Sequence, residues 1–474
     1  MVTKKLFIAG GWVDTGNYID VYNPFDKSLI EKISLADEKW TEKAIDYAYA
    51  NKHIMAGLTA KERGEILNKV SNLIIKNSDE IASIIAKESG KSLRFAKGEV
   101  LRSSETFQFA ADEARRLSGE LIPFDAAATG KNRVGYYKRY PLGVIGAITP
   151  FNFPLNLVSH KVAPAIAAGN TVILKPASTT PLTALRLVEI LLEAGLPKEG
   201  INLLVGSGSK VGNKMVESDK IGMISFTGSP EVGLEIKKKA GMKKVTLELG
   251  NNSAVIIHND ADIAQTLPKC VIGGFANSGQ VCISIQRIYV HNDIADEFIE
   301  QFSTAVKNTP FGSQLDESVV VGPMIEEKEA IRVEEWVNEA ISQGAKLICG
   351  GKRNGAIYEP TVLLDTNENM KVVREEIFGP VVCIMRYNSI EEAIEKTNNS
   401  KFGLQAGIFT KDIKTAFKAI EGIDVGGVMV NDMPTFRVDQ MPYGGVKLSG
   451  TGREGPKFAV EEMTEIKTVV FNLE

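Results

Sequence analysis

YPLGVIGAITP, residues 140–150, is a short run of glycine and β-branched residues closed by a proline. It is apolar at nearly every position from Leu142 to Ile148, which suits a strand buried on both faces rather than one face of a half-exposed sheet. The period then changes. LNLVSHKVAPAIAAG (155–169) reads as a helix that stops at Gly169, NTVILKP (170–176) is again apolar and β-branched, and PLTALRLVEILLEAG (181–195) is helical. INLLVG (201–206), VGNKMVES (211–218), IGMISFTG (221–228), SPEVGLEIKKKAG (229–241) and KKVTLELG (243–250) continue the alternation. Buried strands separated by helices predict a parallel sheet covered on both faces, a doubly wound α/β unit. Ligands of such a sheet lie at the carboxyl ends of its strands, where this chain has TPFNFP (149–154), KPAS (175–178), GSGS (206–209) and FTGS (226–229).

A second alternating series follows Gly250, with strands such as RIYVH (287–291), GPVVCIMRY (379–387) and AGIFT (406–410), and helices such as DIADEFIEQFSTAV (293–306). The fold class is therefore α/β with two doubly wound, Rossmann-like domains. Upstream, Ile66, Leu67, Val70, Leu73, Ile74, Ile81, Ile84 and Ile85 recur at spacings of three, four and seven, the stripe of amphipathic helices. RVGYYKRYP (133–141) and the tail EIKTVVFNLE (465–474) fit neither series. Both are β-prone with polar interruptions, and each reads either as an edge hairpin or as an arm that pairs with another subunit.

A chain of 474 residues, 44% hydrophobic and free of low-complexity tracts, is long enough for several packed units. Its 55 basic side chains nearly balance 59 acidic ones, so nucleic acid and anionic membranes are poor partners. MVTKKLFIAGGWVD at the start has too short an apolar run for a signal peptide or an anchor, and no window reaches the roughly 20 apolar residues of a membrane span. Cys270, Cys282, Cys349 and Cys383 are scattered without a CxxC, and the four histidines lack the spacing of a helical metal site. A cytoplasmic protein without a metal centre is expected. ESGKS (88–92) ends like a phosphate-binding loop, but the required first glycine would be Ile85, so it reads as a helix end. VGSGSKVG (205–212) is one residue too long for GxGxxG and reads equally well as a plain turn.

The residues that carry chemistry begin with Cys282 in FANSGQVCISIQR (275–287). A lone cysteine is most often a small buried hydrophobe. Here small and polar neighbours let backbone N–H groups approach a reacting atom, as an oxyanion site requires. A thiol at its ordinary pKa of about 8.5 needs a cation, a helix N-terminus or a base to act at neutral pH. Glu248 ends a buried-looking strand, where a carboxylate is costly unless paired or protonated. Asn152 sits in a proline-flanked turn where its amide faces either its own turn or developing negative charge. No Ser-His-Asp order is visible.

ITPFNFPLN, KPAS, SFTGSPEVG, LELG, GQVC, EEIFGPVV, NNSKFGLQAGIFT and MPYGGVKLSGTGREG occur in the order and at about the spacing of the NAD(P)-dependent aldehyde dehydrogenase superfamily, which the whole chain resembles. Within it the likeness is to the branch of lactaldehyde and non-phosphorylating glyceraldehyde-3-phosphate dehydrogenases. The resemblance implies that Cys282 is the nucleophile forming a thiohemiacetal and then a thioester. It implies that Asn152 and the Cys282 backbone N–H hold the oxyanion, that Glu248 activates the hydrolytic water, and that Glu454 assists proton passage. Acylating relatives lack a glutamate at the Glu248 position, so hydrolysis to the carboxylate is expected over transfer to coenzyme A. The same resemblance assigns the cofactor to Lys175, Ser178, Gly228, Ser229, Gly250, Glu376 and Phe378, with Thr149 and Pro150 bordering it. Ser178 stands where strongly NAD-preferring members carry a glutamate, which favours NADP while leaving NAD possible.

The resemblance further implies a cofactor-binding domain over 1–119 and 142–249, a catalytic domain over 250–454, and a β-rich oligomerisation arm from 120–141 and 455–474. Arg453 and Glu465 match an interface pair, so a homodimer or homotetramer is expected. Three positions shape the pocket. Asn251 replaces the usual second glycine after LELG, Val281 makes an apolar wall, and Arg437 precedes a loop that borders the substrate mouth in the family. An arginine there binds a phosphate, sulfonate or carboxylate on a substrate, or else forms a rim salt bridge. Arg287 and His160 read as structural. The expected substrate is a small hydroxylated or anionic aldehyde, the alternatives being a coenzyme-A-acylating semialdehyde dehydrogenase and a silent relative.

Overall fold

A computed structural model describes residues 3–474. Val144–Ile148 is a fully buried strand, and it lies inside a six-stranded sheet ordered Gly450–Thr451, Lys244–Glu248, Met223–Thr227, Val144–Ile148, Thr171–Lys175, Ile201–Leu203. Its five long-sequence members run parallel. Helices Asn156–Ala167, Pro181–Glu193 and Pro230–Lys239 connect them, and every residue of the first is buried. From Ile201–Leu203 the chain crosses to the far side of Val144–Ile148 before laying down Met223–Thr227. The order therefore reverses between those two strands, and a crevice opens beyond their carboxyl ends. Thr149–Pro150 and Gly228–Ser229 leave the sheet at that point.

The second sheet has seven strands ordered Lys346–Cys349, Thr361–Leu364, Val381–Tyr387, Arg287–His291, Ala254–Ile257, Gln405–Phe409, Gly427–Val430, parallel except for the first pair. Both alternating series of the sequence thus become doubly wound sheets. Gly450–Thr451, which lies within the 250–454 segment, pairs instead with Lys244–Glu248 of the first sheet. That return strand matters for the site, because it brings the 441–455 segment back beside Glu248.

RVGYYKRYP and the tail find each other. Arg133–Pro141 and Thr464–Asn472 pair antiparallel over nine residues, with Glu120–Ile122 on the outer side, making a separate three-stranded sheet. Ala60–Lys76 and Ser78–Ser89 are helices as their apolar stripe predicts, and Gly90 at φ 77° ends the second, so ESGKS is a helix end.

Candidate active site

The strand Lys244–Glu248 delivers Glu248 to the crevice, where the side chain is buried and neither carboxylate oxygen has a hydrogen-bond partner. Burial, and then the negative charge of Glu454, push its pKa well above the ordinary glutamate value, and Arg437, Lys161 and Arg453 offset this only in part. Such a carboxyl keeps its proton where an ordinary glutamate has lost it, and is a stronger base once ionised.

Cys282 reaches the same crevice from the second sheet. After the helix Ile263–Phe275 the chain turns through Asn277, Ser278 and Gly279 at φ 53°, 57° and 68°. A β-carbon on Gly279 would lie 2.1 Å from the Gly379 carbonyl oxygen, so the turn needs glycine there. The Ser278 hydroxyl donates to the Gly322 carbonyl at 2.8 Å and fixes the turn. The Cys282 sulfur then sits 3.0 Å from the Tyr443 hydroxyl. Burial pushes the thiol up to about 12, the Tyr443 hydrogen bond and Arg437 lower it, and Glu376 and Glu248 raise it.

Asn152 donates its amide to the Gln280 carbonyl at 2.9 Å, two residues before the thiol, and its second amide N–H remains to be offered. Its turn is held from behind. Glu99 accepts the backbone N–H groups of Leu155 and Asn156 at 2.8 and 3.0 Å and pairs with the fully buried Lys91, whose ammonium lies 3.5 Å above the Phe153 ring. A buried ion pair with its remaining lone pairs filled by backbone donors is a rigid brace.

Two cavities meet at Cys282. One, of about 400 Å³, is lined by Pro150, Asn152, Gly228, Ser229, Glu376 and Phe378 among others. The other, of about 470 Å³, is lined by Arg94, Arg102, Phe153, Val281, Arg437 and Tyr443 among others. A sulfur at the junction can face a flat cofactor on one side and a small substrate on the other.

The first cavity and the residues next to its lining fit a dinucleotide. Lys175 is buried, and desolvation lowers its ammonium to about 8 without any carboxylate to counter it; hydroxyl or phosphate oxygens would complete it. Ser229 caps the ten-residue helix Pro230–Lys239 by accepting the Val232 N–H, and the positive end of the helix dipole there suits a pyrophosphate. Phe378 packs edge-on against Phe151 with ring centroids 6.0 Å apart. Thr149 is buried beside Pro150 with an unpartnered hydroxyl. Ser178 donates to the Gly206 carbonyl at 3.2 Å and lines a neighbouring trough that shares Thr179 with this cavity. Burial raises Glu376 to about 7, and its Oε1 accepts only the Asn251 N–H, at 2.9 Å.

Gly250 is the residue that lets Glu376 sit there, because a β-carbon would lie 2.4 Å from Glu376 Oε2. The obstructed atom is the end of a flexible side chain, so the fold can yield where the cofactor site cannot. Gly250→Ala is expected to weaken cofactor binding about tenfold with little change in Tm, an order-of-magnitude figure for misplacing one charge-assisted hydrogen bond. Cofactor titration by fluorescence beside a thermal melt checks it, and an unchanged Kd would refute it.

Behind Glu248 lies a buried polar network. Glu454 accepts from Lys161 at 2.9 Å and from Arg437 at 3.2 Å. Burial raises this carboxyl, and the cations Lys161 and Arg437 more than reverse that, holding it below the ordinary glutamate value. Asp439 takes both guanidinium contacts of Arg102, at 2.7 and 3.2 Å, together with His160 at 2.8 Å, and is held well below the ordinary carboxylate range. Arg437 is not a rim residue. Its side chain is 6% exposed and lies 3.7 Å over the Tyr443 ring, because the return strand folds its loop inward. His160 joins this network rather than merely packing on its helix. Burial and then Arg437 lower its pKa, against the pull of Asp439 and Glu454.

Other expected positions resolve differently. The Asn251 side chain turns away from both cavities to Ser253, Gln405 and Leu404, so its β-carbon does not narrow the channel. Val281 does line the second cavity. Arg287 is spent on the carbonyls of Asn252, Lys396 and Thr397 and is structural. Within this chain Arg453 donates to Gly445 and Gly452, and Glu465 pairs with Lys244 at 3.3 Å.

Sequence reasoning missed Tyr443, Lys161, Asp439, Arg102 and the Lys91–Glu99 brace. Tyr443 stood in the quoted MPYGG, but nothing local says that its hydroxyl meets a thiol 161 residues away. Lys91 belonged to the dismissed ESGKS; a lysine and a glutamate eight apart give no signal until the helix turns both inward.

The sequence pattern of the aldehyde dehydrogenase family matches residues 12–469. A 3-sulfolactaldehyde dehydrogenase of Priestia megaterium is 48% identical over 468 residues, covering 99% of this chain and 98% of that one. A lactaldehyde dehydrogenase of Methanococcus aeolicus is 44% identical, covering 98% of this chain and all of that one. Among solved structures, a glyceraldehyde-3-phosphate dehydrogenase from Methanocaldococcus jannaschii complexed with NADP superimposes with a TM-score of 0.92, at 42% identity over 96% of this chain and 99% of that one.

Proposed function

This chain belongs to the aldehyde dehydrogenase family, and on that premise we propose that it oxidises a small 2-hydroxylated, anionic aldehyde to its carboxylate with reduction of NAD(P)⁺. The carrying observation is the charge around the second cavity. Lys91, Arg102 and Arg437 line it, and Glu99 is the one carboxylate in its lining. Arg94 adds an exposed cation at the wall. This excess suits a sulfonate, phosphate or carboxylate at the far end of a short aldehyde. Sulfolactaldehyde, lactaldehyde and glyceraldehyde 3-phosphate, named for the relatives, share a hydroxyl beside the carbonyl, and two of them carry an anion.

In this reading the Cys282 thiol loses its proton to solvent as the sulfur adds to the aldehyde carbon, and the carbonyl electron pair moves to an oxygen held by the Asn152 amide and the Cys282 backbone N–H. When bound, the nicotinamide supplies the hydride acceptor that makes oxidation to a thioester possible. Lys175, Gly228, Ser229, Gly250, Glu376 and Phe378 hold and orient it. Glu248 then takes a proton from water as the water oxygen adds to the thioester carbon and the sulfur departs with its bonding pair. Glu454, kept ionised beside it by Lys161 and Arg437, maintains the field that raises Glu248 and offers the onward proton route. Ser178 puts no carboxylate where a 2′-phosphate would sit, which supports NADP. The segments 1–119 and 142–249 serve the cofactor, 250–454 the chemistry, and the separate sheet dimer or tetramer formation; Leu121, Ile466 and Phe471 are exposed on that sheet. Four unpaired cysteines suit a cytoplasmic setting.

The test is turnover of 3-sulfolactaldehyde, glyceraldehyde 3-phosphate, lactaldehyde and propanal with each cofactor, with analysis of the product. Free acid made without coenzyme A, and a kcat/KM for the anionic hydroxyaldehydes at least about tenfold above propanal, are expected. Propanal as the best substrate would overturn the substrate class, and an absolute need for coenzyme A would overturn hydrolysis. Arg437→Ala is expected to lower kcat/KM for anionic aldehydes roughly 10- to 100-fold more than for neutral ones, as loss of a charge-assisted contact implies. Equal losses would remove Arg437 from substrate recognition.

A further inference from the structure

The Tyr443 hydroxyl, 3.0 Å away, is the hydrogen-bond partner that the structure gives the Cys282 sulfur. From this contact we infer that Tyr443 is a catalytic residue, donating a hydrogen bond to the sulfur whenever it carries charge, as the thiol ionises and again as the thioester breaks. The assignment rests on the reading of Cys282 as nucleophile. Several observations carry it.

A thiolate has no proton to give, so in the charged pair the phenol is the donor. The phenol is fixed in place. Tyr443 is 2% exposed, its backbone exchanges hydrogen bonds with Glu454 at 3.1 and 2.7 Å, and the Arg437 guanidinium covers its ring at 3.7 Å. A cation over the ring polarises the O–H and makes it a better donor. The phenol also keeps its proton, since burial, the neighbouring thiol and Glu248 all push its pKa up.

The direction of approach is equally telling. Tyr443 lines the substrate-side cavity and not the cofactor-side one, whereas Asn152 lines the cofactor-side one. Two donors therefore reach the reacting centre from opposite sides. Asn152 is placed for charge on the carbonyl oxygen and Tyr443 for charge on sulfur. In the last step the water oxygen bonds to the thioester carbon, a water proton passes to Glu248, and the carbon–sulfur bonding pair returns to sulfur as a thiolate. A donor already aimed at that sulfur stabilises the leaving group as the charge develops.

The groups that set the thiol's titration are Tyr443, Glu376, Arg437 and Glu248 facing it, with Glu454, Lys161 and His160 behind Arg437 and Lys91, Arg94, Glu99 and Arg102 around the cavity. Tyr443→Phe removes one oxygen and leaves this set and the ring stack in place. The experiment follows alkylation of Cys282 by iodoacetamide against pH, read by mass spectrometry of its peptide, with no aldehyde present. Tyr443→Phe is expected to react about tenfold more slowly at fixed pH, its profile displaced upward by about one unit, or about 1.4 kcal/mol. Replacing Tyr443 with 3-fluorotyrosine, a stronger donor of nearly the same shape, is expected to displace the profile downward. kcat should fall for neutral and anionic aldehydes alike in Tyr443→Phe, unlike the selective loss in Arg437→Ala. An unshifted alkylation profile in Tyr443→Phe overturns the assignment, as does a profile that the fluorinated residue leaves unmoved. Because alkylation needs no turnover, failure of the proposed substrate class would show separately, in the aldehyde screen.

Discussion

Cys282→Ala is expected to abolish aldehyde-dependent reduction of NAD(P)⁺, by on the order of 10⁵-fold or more, the scale on which enzymes lose rate when a covalent nucleophile is removed. The argument is positional. The thiol sits where two cavities meet, with an amide donor on one side and a phenol on the other, and the other three cysteines are buried away from both cavities. Alanine leaves the shape of the cofactor-side cavity nearly unchanged, so Kd for NAD(P)⁺ is expected to stay within about threefold; a few tenths of a kcal/mol is the usual effect of a change that removes no contact. Steady-state assay and cofactor titration together check it. Turnover by the alanine variant within a hundredfold of wild type would remove Cys282 from the reaction.

Glu248→Gln is expected to lower kcat on the order of 10²- to 10⁴-fold, the span of a lost general base, while the first turnover remains fast. An amide keeps the shape of the carboxyl and cannot accept the water proton. Acyl-enzyme should therefore accumulate, appearing as a burst of reduced cofactor equal to the enzyme concentration and as the acyl mass on the Cys282 peptide. The pH profile follows from the burial of this group. Its pKa is raised well above the ordinary glutamate value, and a base acts only when deprotonated, so wild-type deacylation should fall as pH drops through that raised value. The glutamine variant should lack this acid limb. A variant that shows no burst and keeps the limb would assign the base to another group.

Much of the fold was legible because both sheets are parallel and doubly covered. Strands buried on two faces must be apolar at nearly every position, as Val144–Ile148 and Thr171–Lys175 are, and helices between them must carry a different period. Gly169 and Pro150 punctuate the series as backbone chemistry requires. Cys282, Glu248 and Asn152 were legible as candidates for a different reason: Glu248 and Asn152 follow apolar runs and Cys282 follows the small and polar Asn-Ser-Gly-Gln, places where a reactive or costly group calls for explanation. What separated them from a structural thiol, a capped glutamate and a turn asparagine was the order of eight motifs along the chain. Gly450–Thr451 escaped notice because a two-residue strand has no periodicity to read, yet its pairing with Leu247–Glu248 brings Tyr443, Arg453 and Glu454 beside the base.

By itself, then, the sequence determined the two alternating series, the crevice beyond their strands and the chemical types gathered there, since burial and backbone geometry constrain residues locally. The tertiary structure alone decided which charges meet. Arg437 became an inward-facing partner of Glu454 rather than a rim residue, Asn251 turned out of the channel, Lys91 and Glu99 closed into a brace, and Tyr443 came to rest against the thiol. Those outcomes depend on side chains as near as Lys91 and Glu99, eight residues apart, and as far as Cys282 and Tyr443, 161 apart, whose pairing energies arise only once folding has removed the water between them.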